Sequence, residues 1–320
     1  MPEKNRSQKK ADNQSCKRKK KKADPTTKPL LGGSSKTMES IRDNFEELRS
    51  WPVWRAMVAE FIGTLMLVFI GCGACIGGAW SDLDDPTVLG IALAFGLIVA
   101  TMIWSFGHVS GGHVNPAVTF GFLVARRITI VRAALYIISQ CAGAIVGCGI
   151  LKGLSPHNSN ETFGLTVVWK QITPGQGCGV EIIITFVLVF CVFASVDGRR
   201  ADLNGSTPLS IGLSVTVCHL FAVRYTGSSM NPARTFGPAV ITNKWTNHWV
   251  YWVGPIIGGI IGALLYELVF SASASLRNLK HFFTSPVYGQ DEDVDEMYDV
   301  NPEAKDMKII KGKLDGEAAV

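Results

Sequence analysis

Six stretches of about 20 residues, dominated by apolar and small side chains, decide what this 320-residue chain can fold into. They lie near residues 54–77, 88–107, 131–153, 178–196, 207–225 and 248–270. At about 1.5 Å of rise per residue, a helix of that length just crosses the ~30 Å hydrocarbon core of a bilayer. A long helix in a soluble protein keeps a polar stripe for water, yet the stretch from Val58 to Ala79 carries Glu60 as its one charge. The expectation is an all-α membrane protein with six spanning helices. An apolar content of 47% would not by itself have separated this from a large soluble fold.

Orientation follows from the cations beside short loops. Arg49 and Arg55, then Arg126, Arg127 and Arg132, then Arg199 and Arg200, then Arg277 and Lys280 all fall on one side if the chain crosses six times. The other side carries Asp82, Asp84 and Asp85 in its first loop and only the scattered cations Lys152, Lys170 and Lys244 near the others. This predicts a multi-pass protein of the plasma membrane with both termini in the cytosol, its first span directing insertion because the first fifty residues hold no apolar run. Asn160 opens an Asn-Glu-Thr glycosylation acceptor in an outer loop. Residues 51–272 form the membrane domain. Residues 1–50 form a basic, disordered tail whose run Lys17 to Lys22 suits anionic lipid, and residues 273–320 an acidic cytosolic tail. Of eight cysteines, all but Cys16 lie in or beside the apolar spans, where they pack as small apolar groups.

The two halves of the membrane domain, about 54–153 and 178–270, repeat one pattern. Glu60 precedes Asn115-Pro116-Ala117 by 55 positions, and Glu181 precedes Asn231-Pro232-Ala233 by 50. The third and sixth spans are both Gly-rich segments opened by a Tyr, Tyr136 and Tyr251. Three spans per half make this an inverted-topology repeat. Each tripeptide opens a short apolar run, Val118 to Val124 and Phe236 to Ile241, with Pro preorganised for a first helical turn. About ten helical residues reach only ~15 Å, so the runs are expected as two re-entrant half-helices that meet at the midplane with their asparagines adjacent. Non-helical backbone at that depth persists only inside protein or along a water-filled cavity, so a pore is the physical consequence.

With these residues in hand, the chain from Trp54 to Phe270 resembles the major intrinsic protein family, and within it the water-selective aquaporins of animals. The resemblance implies a homotetramer in which each protomer has its own pore. It also implies an outer selectivity filter of Phe95, His219, Ser228 and Arg234, with bulk enough to narrow the opening to one water molecule. Ser228 stands where mercury-sensitive relatives have Cys, so no mercurial reaction is expected there. Glycerol-conducting relatives usually carry Gly in place of His219 and Asp after the Arg, where this chain has Thr235.

A single file of water needs hydrogen-bond partners along an apolar wall. The backbone carbonyls of Gly111, Gly112, His113 and Val114, and of Gly227, Ser228, Ser229 and Met230, are the expected acceptors. The amides of Asn115 and Asn231 are the expected central donors. The positive ends of both half-helices and the charge of Arg234 oppose cations there, hydronium included. Glu60 and Glu181 are intramembrane acids expected to accept hydrogen bonds from the re-entrant loops and brace them. No metal-ligand spacing, phosphate-cradling loop or nucleophile–base pair occurs, so neither enzyme nor cofactor chemistry nor a nucleic-acid partner is expected. The partners are water and the lipid bilayer. The remaining alternatives are a broader pore passing glycerol, urea or peroxide, and a non-conducting adhesion or scaffold protein.

Overall fold

The computed structural model describes residues 47–76, 87–155, 162–203 and 205–285. Asn160, Cys16, the lysine run and the acidic C-terminal segment lie outside them. The helices, in chain order, are α1 (Trp51–Gly73), α2 (Val88–Ser110), α3 (Pro116–Val124), α4 (Ile130–Leu154), α5 (Pro174–Ser195), α6 (Thr207–Thr226), α7 (Pro232–Thr242), α8 (Val250–Leu265) and α9 (Leu276–Thr284). A π-helical turn, Tyr266–Phe270, continues α8. Six of these elements are long and apolar enough to cross a membrane, the sixth running Val250–Phe270. α3 and α7 are the half-helices, 9 and 11 residues long.

Local chemistry sets the helix starts. Thr87, Thr129, Thr173 and Ser206 each accept a hydrogen bond from a first-turn amide, and Thr173 completes a capping box with Gln176. α1 begins three residues earlier than the apolar run suggests, because Pro52 sits in its first turn. It also ends earlier, at Gly73. α2 and α6 stop at Gly111 (φ 88°) and Gly227 (φ 80°), left-handed caps at matching places in the repeat.

The packing follows the repeat: α1 lies on α4 as α5 lies on α8, and α2 crosses α6 at the joint between halves. Small residues let these backbones touch. A methyl added to Gly96 would come 2.6 Å from the Gly212 carbonyl oxygen, and one added to Gly212 would meet the Gly96 carbonyl. The half-helices are exchanged between the repeats. α3 packs chiefly on α8, and α7 chiefly on α4. A Cβ on Gly259 of α8 would sit 2.7 Å from the Ala117 carbonyl of α3, and one on Gly237 of α7 would run into Ala144 of α4.

Charged side chains tie the loops at one end of the bundle. Asp197 accepts hydrogen bonds from the Arg199 Nε (2.7 Å), the Ala272 amide (3.0 Å) and the Tyr266 hydroxyl (3.1 Å). Glu267, 3% exposed, pairs with Arg127 at 2.7 Å and lies 3.8 Å from Arg199. Burial by itself pushes the Asp197 carboxyl up, but the Arg199 and Ala272 hydrogen bonds and the Arg199 charge outweigh it and hold it below the ordinary carboxylate value. A depressed native pKa gives stability that is complete above the unfolded value of about 3.9 and is lost as pH falls through the native one. Thermal unfolding scans in detergent are therefore expected to show an acid-sensitive loss below about pH 4. In Asp197→Asn that loss should shrink; an unchanged acid limb would remove Asp197 as its source.

Candidate functional site

The two loops that lead into the half-helices are bent in ways side chains resist. Val114 (φ 43°), Ser228 (φ 52°) and Met230 (φ 52°) occupy the left-handed region, which costs of order 1–3 kcal/mol for a residue without special reason to be there. Buried carboxylates hold them. Glu60 Oε1 accepts from the His113 amide (2.9 Å) and the Ser110 hydroxyl (2.6 Å), and Oε2 from the Val114 amide (2.6 Å). In the second half, Glu181 Oε1 accepts from the Ser229 amide (3.0 Å) and the Thr226 hydroxyl (2.6 Å), and Oε2 from the Met230 amide (2.8 Å). The amides of Val114 and Met230 thus donate straight to the acids, that of Ser228 donates to the Thr226 hydroxyl (3.2 Å), which itself donates to Glu181, and both acids are fully buried.

Asn115 and Asn231 cap α3 and α7. The Asn115 side-chain oxygen accepts from the Ala117 amide, and that of Asn231 from the amides of Ala233 and Arg234. Their amide nitrogens cross over: Asn115 Nδ2 donates to the Met230 carbonyl at 2.9 Å, and Asn231 Nδ2 to the Val114 carbonyl at 2.8 Å. The two tripeptides therefore meet, with Pro116 and Pro232 opening their helices. Each side-chain amide has two N–H groups, so one remains on each asparagine for a guest. Each of the two carbonyls has likewise committed one of its two lone pairs. Both helix N-termini aim at this point, each equivalent to about half a positive charge.

Phe95, His219 and Arg234 come together in the wall of a cavity. The Phe95 and His219 rings stack with centroids 4.5 Å apart and planes 19° from parallel. The guanidinium carbon of Arg234 lies 4.7 Å from the Phe95 ring centroid, and its Nη1 donates to the Gly164 carbonyl. His219 Nδ1 faces the Val215 carbonyl at 3.0 Å. A carbonyl only accepts, so Nδ1 carries the hydrogen and Nε2 is left as an acceptor. His219 Nε2 and Arg234 Nε are buried without a hydrogen-bond partner among the described residues. The two groups thus offer a small polar guest one acceptor and one donor. Ser228 is fully buried, its hydroxyl also unpartnered there.

The cavity is lined by this cluster, by both asparagines and by apolar residues that include Val192, Val196 and Ile211. Gly111, Gly112, His113, Val114, Ser229 and Met230 line it, whereas Gly227 and Ser228 do not. It holds about 40 Å³ of space for the centres of water-sized molecules, so water fits inside it.

Sequence reasoning missed several supports. Tyr136 and Tyr251 donate to the carbonyls of Ser110 and Thr226 at 2.9 and 2.8 Å, securing each loop from the last span of its own repeat. Their matching positions were the available signal. Gln140 donates to Glu60 (2.7 Å) and to the Thr119 hydroxyl (3.0 Å), and His113 Nδ1 meets that hydroxyl at 3.1 Å. The second half has Pro255 in the span position of Gln140, so no repeat argument could find it. Among the described residues no group of three or more His, Cys, Asp or Glu is placed to hold a metal ion.

Six spans, two exchanged half-helices and a narrow cavity where their N-termini meet define an inverted-repeat membrane protein of the re-entrant-loop class. Residues 47–266 match the major intrinsic protein family. The chain belongs to that family. It is 49% identical over 255 residues to Aquaporin-4 of Mus musculus, covering 79% of each chain. To the lens fiber major intrinsic protein of Lithobates pipiens it is 49% identical over 223 residues, 70% of this chain and 84% of that one. Among solved structures, the aquaglyceroporin from Plasmodium falciparum superposes with a TM-score of 0.61 at 24% identity, covering 68% of this chain and 96% of that one. At that identity the likeness speaks to the fold.

Proposed function

We propose that the protein is a water-selective channel conducting passively, in both directions and in single file, while excluding protons and ions. One observation carries this reading: the asparagines that open two half-helices meet in the wall of a cavity that Phe95, His219 and Arg234 also line. A water accepting from the free N–H of both amides is oriented with its hydrogens outward, which breaks a continuous proton wire. The two helix ends and Arg234 raise the energy of any cation. The loop carbonyls take the water's hydrogens, those of Val114 and Met230 with one lone pair each. Relatives named as aquaporins, at close to half identity, support the same assignment.

In this reading the chain transports and performs no reaction. It assembles as a homotetramer in the plasma membrane, its termini on the side where Arg126, Arg127, Arg199 and Arg200 cluster. Residues 51–272 are the channel. Vesicles holding the purified protein should shrink under osmotic shock far faster than empty ones, and should admit glycerol no faster than empty ones. Glycerol entry well above that of empty vesicles would select the broader pore, and absent water flux would select a scaffold role.

A further inference from the structure

α9 is a short helix on which two edges of one apolar face have different fates. Leu276, Leu279, Phe282 and Phe283 fall on one side, opposite Arg277, Lys280, His281 and Thr284. Phe282, on one edge, is 7% exposed and packed on the protein, whereas Leu276 and Phe283, on the other, are 86% and 72% exposed. Basic Arg277 and Lys280 flank that open edge and make no ion pair among the described residues.

The helix is held firmly enough for this edge to have a direction. The Ser275 hydroxyl caps its first turn, Asn278 Nδ2 donates to the Ser273 carbonyl at 2.6 Å, and Arg126 Nη1 donates to the Phe282 carbonyl at 2.7 Å. Ser271–Ser275 separate it from the last span, which ends with Val269 and Phe270 57% and 58% exposed. It lies at the end of the bundle rich in arginine.

We propose that α9 is an interfacial membrane anchor: Leu276 and Phe283 dip into the acyl boundary of the bilayer the channel spans, and Arg277 and Lys280 bind anionic headgroups around them. Continuity with the exposed apolar end of the last span and the charge beside the open edge favour a membrane surface over a protein partner. Through the Arg126 bond, the docked helix is tied to the loop that leaves the first half-helix, α3.

The test uses the full-length protein in vesicles of phosphatidylcholine, with and without phosphatidylserine. A fluorinated phenylalanine at position 283 supplies one ¹⁹F signal. A nitroxide-labelled lipid is expected to broaden it more than a water-soluble gadolinium chelate, and phosphatidylserine should widen the difference. Arg277→Gln and Lys280→Gln should each lower the docked-to-undocked ratio in phosphatidylserine vesicles by roughly five-fold, as expected from about 1 kcal/mol per cation at a charged surface. Retained water flux in those variants shows that the channel is folded. A signal broadened mainly by the chelate in both membranes would overturn the proposal and leave the face for a protein partner, and insensitivity to both cation replacements would overturn the headgroup role.

Discussion

Glu60→Ala and Glu181→Ala should each collapse the loop they support. In Glu60→Ala the buried amides of His113 and Val114 lose their acceptor. At about 1–3 kcal/mol for each orphaned buried donor, the cost is roughly 2–6 kcal/mol, before the released hydroxyl of Ser110 is counted. A native margin of about 5–15 kcal/mol does not absorb that easily. The strained conformations of Val114 and Met230 also lose what over-determines them. Glu→Gln at either site keeps the shape but turns an amide N–H₂ toward backbone N–H donors, so an intermediate loss is expected. Thermal unfolding in detergent and water flux in vesicles measure both effects. If all four variants keep wild-type stability and flux, the acids do not brace the loops.

His219→Gly should leave water flux high and raise glycerol permeability on the order of ten-fold, because opening diameter and wall polarity set what such a constriction passes. The imidazole is half of the stacked pair with Phe95 and lines the cavity, and its Nε2 is a buried acceptor without a partner among the described residues. Removing it widens the passage and deletes a hydrogen-bond site, while Arg234 keeps its place over Phe95 and on the Gly164 carbonyl. Osmotic swelling with glycerol as the solute reads the change. Permeability that stays at the level of the unmodified channel would move the constriction elsewhere.

The spans were legible because membrane crossing demands an apolar length no other feature of the chain imitates. The asparagines and the two acids were legible because each occurs twice, at matching places in an inverted repeat. Where the halves differ, that lever fails: Gln140 has no counterpart, and the Gly164 carbonyl that holds Arg234 sits in a loop without periodicity. Val114 in a left-handed conformation runs against the preference of a β-branched residue, so no local rule finds it; only Glu60, far away in sequence, makes it tenable. α9 falls within the stretch read as an acidic tail, since four apolar residues among basic ones are too few to stand out before their neighbours in space are known. The exchange of half-helices between repeats is a property of assembly, and no single segment announces it.

That exchange makes the fold indivisible. With α3 resting on α8 and α7 on α4, a chain severed between α4 and α5 yields two fragments, each lacking the wall against which its own short helix must lean. Neither fragment can seat its own half-helix alone, yet each carries the wall the other needs.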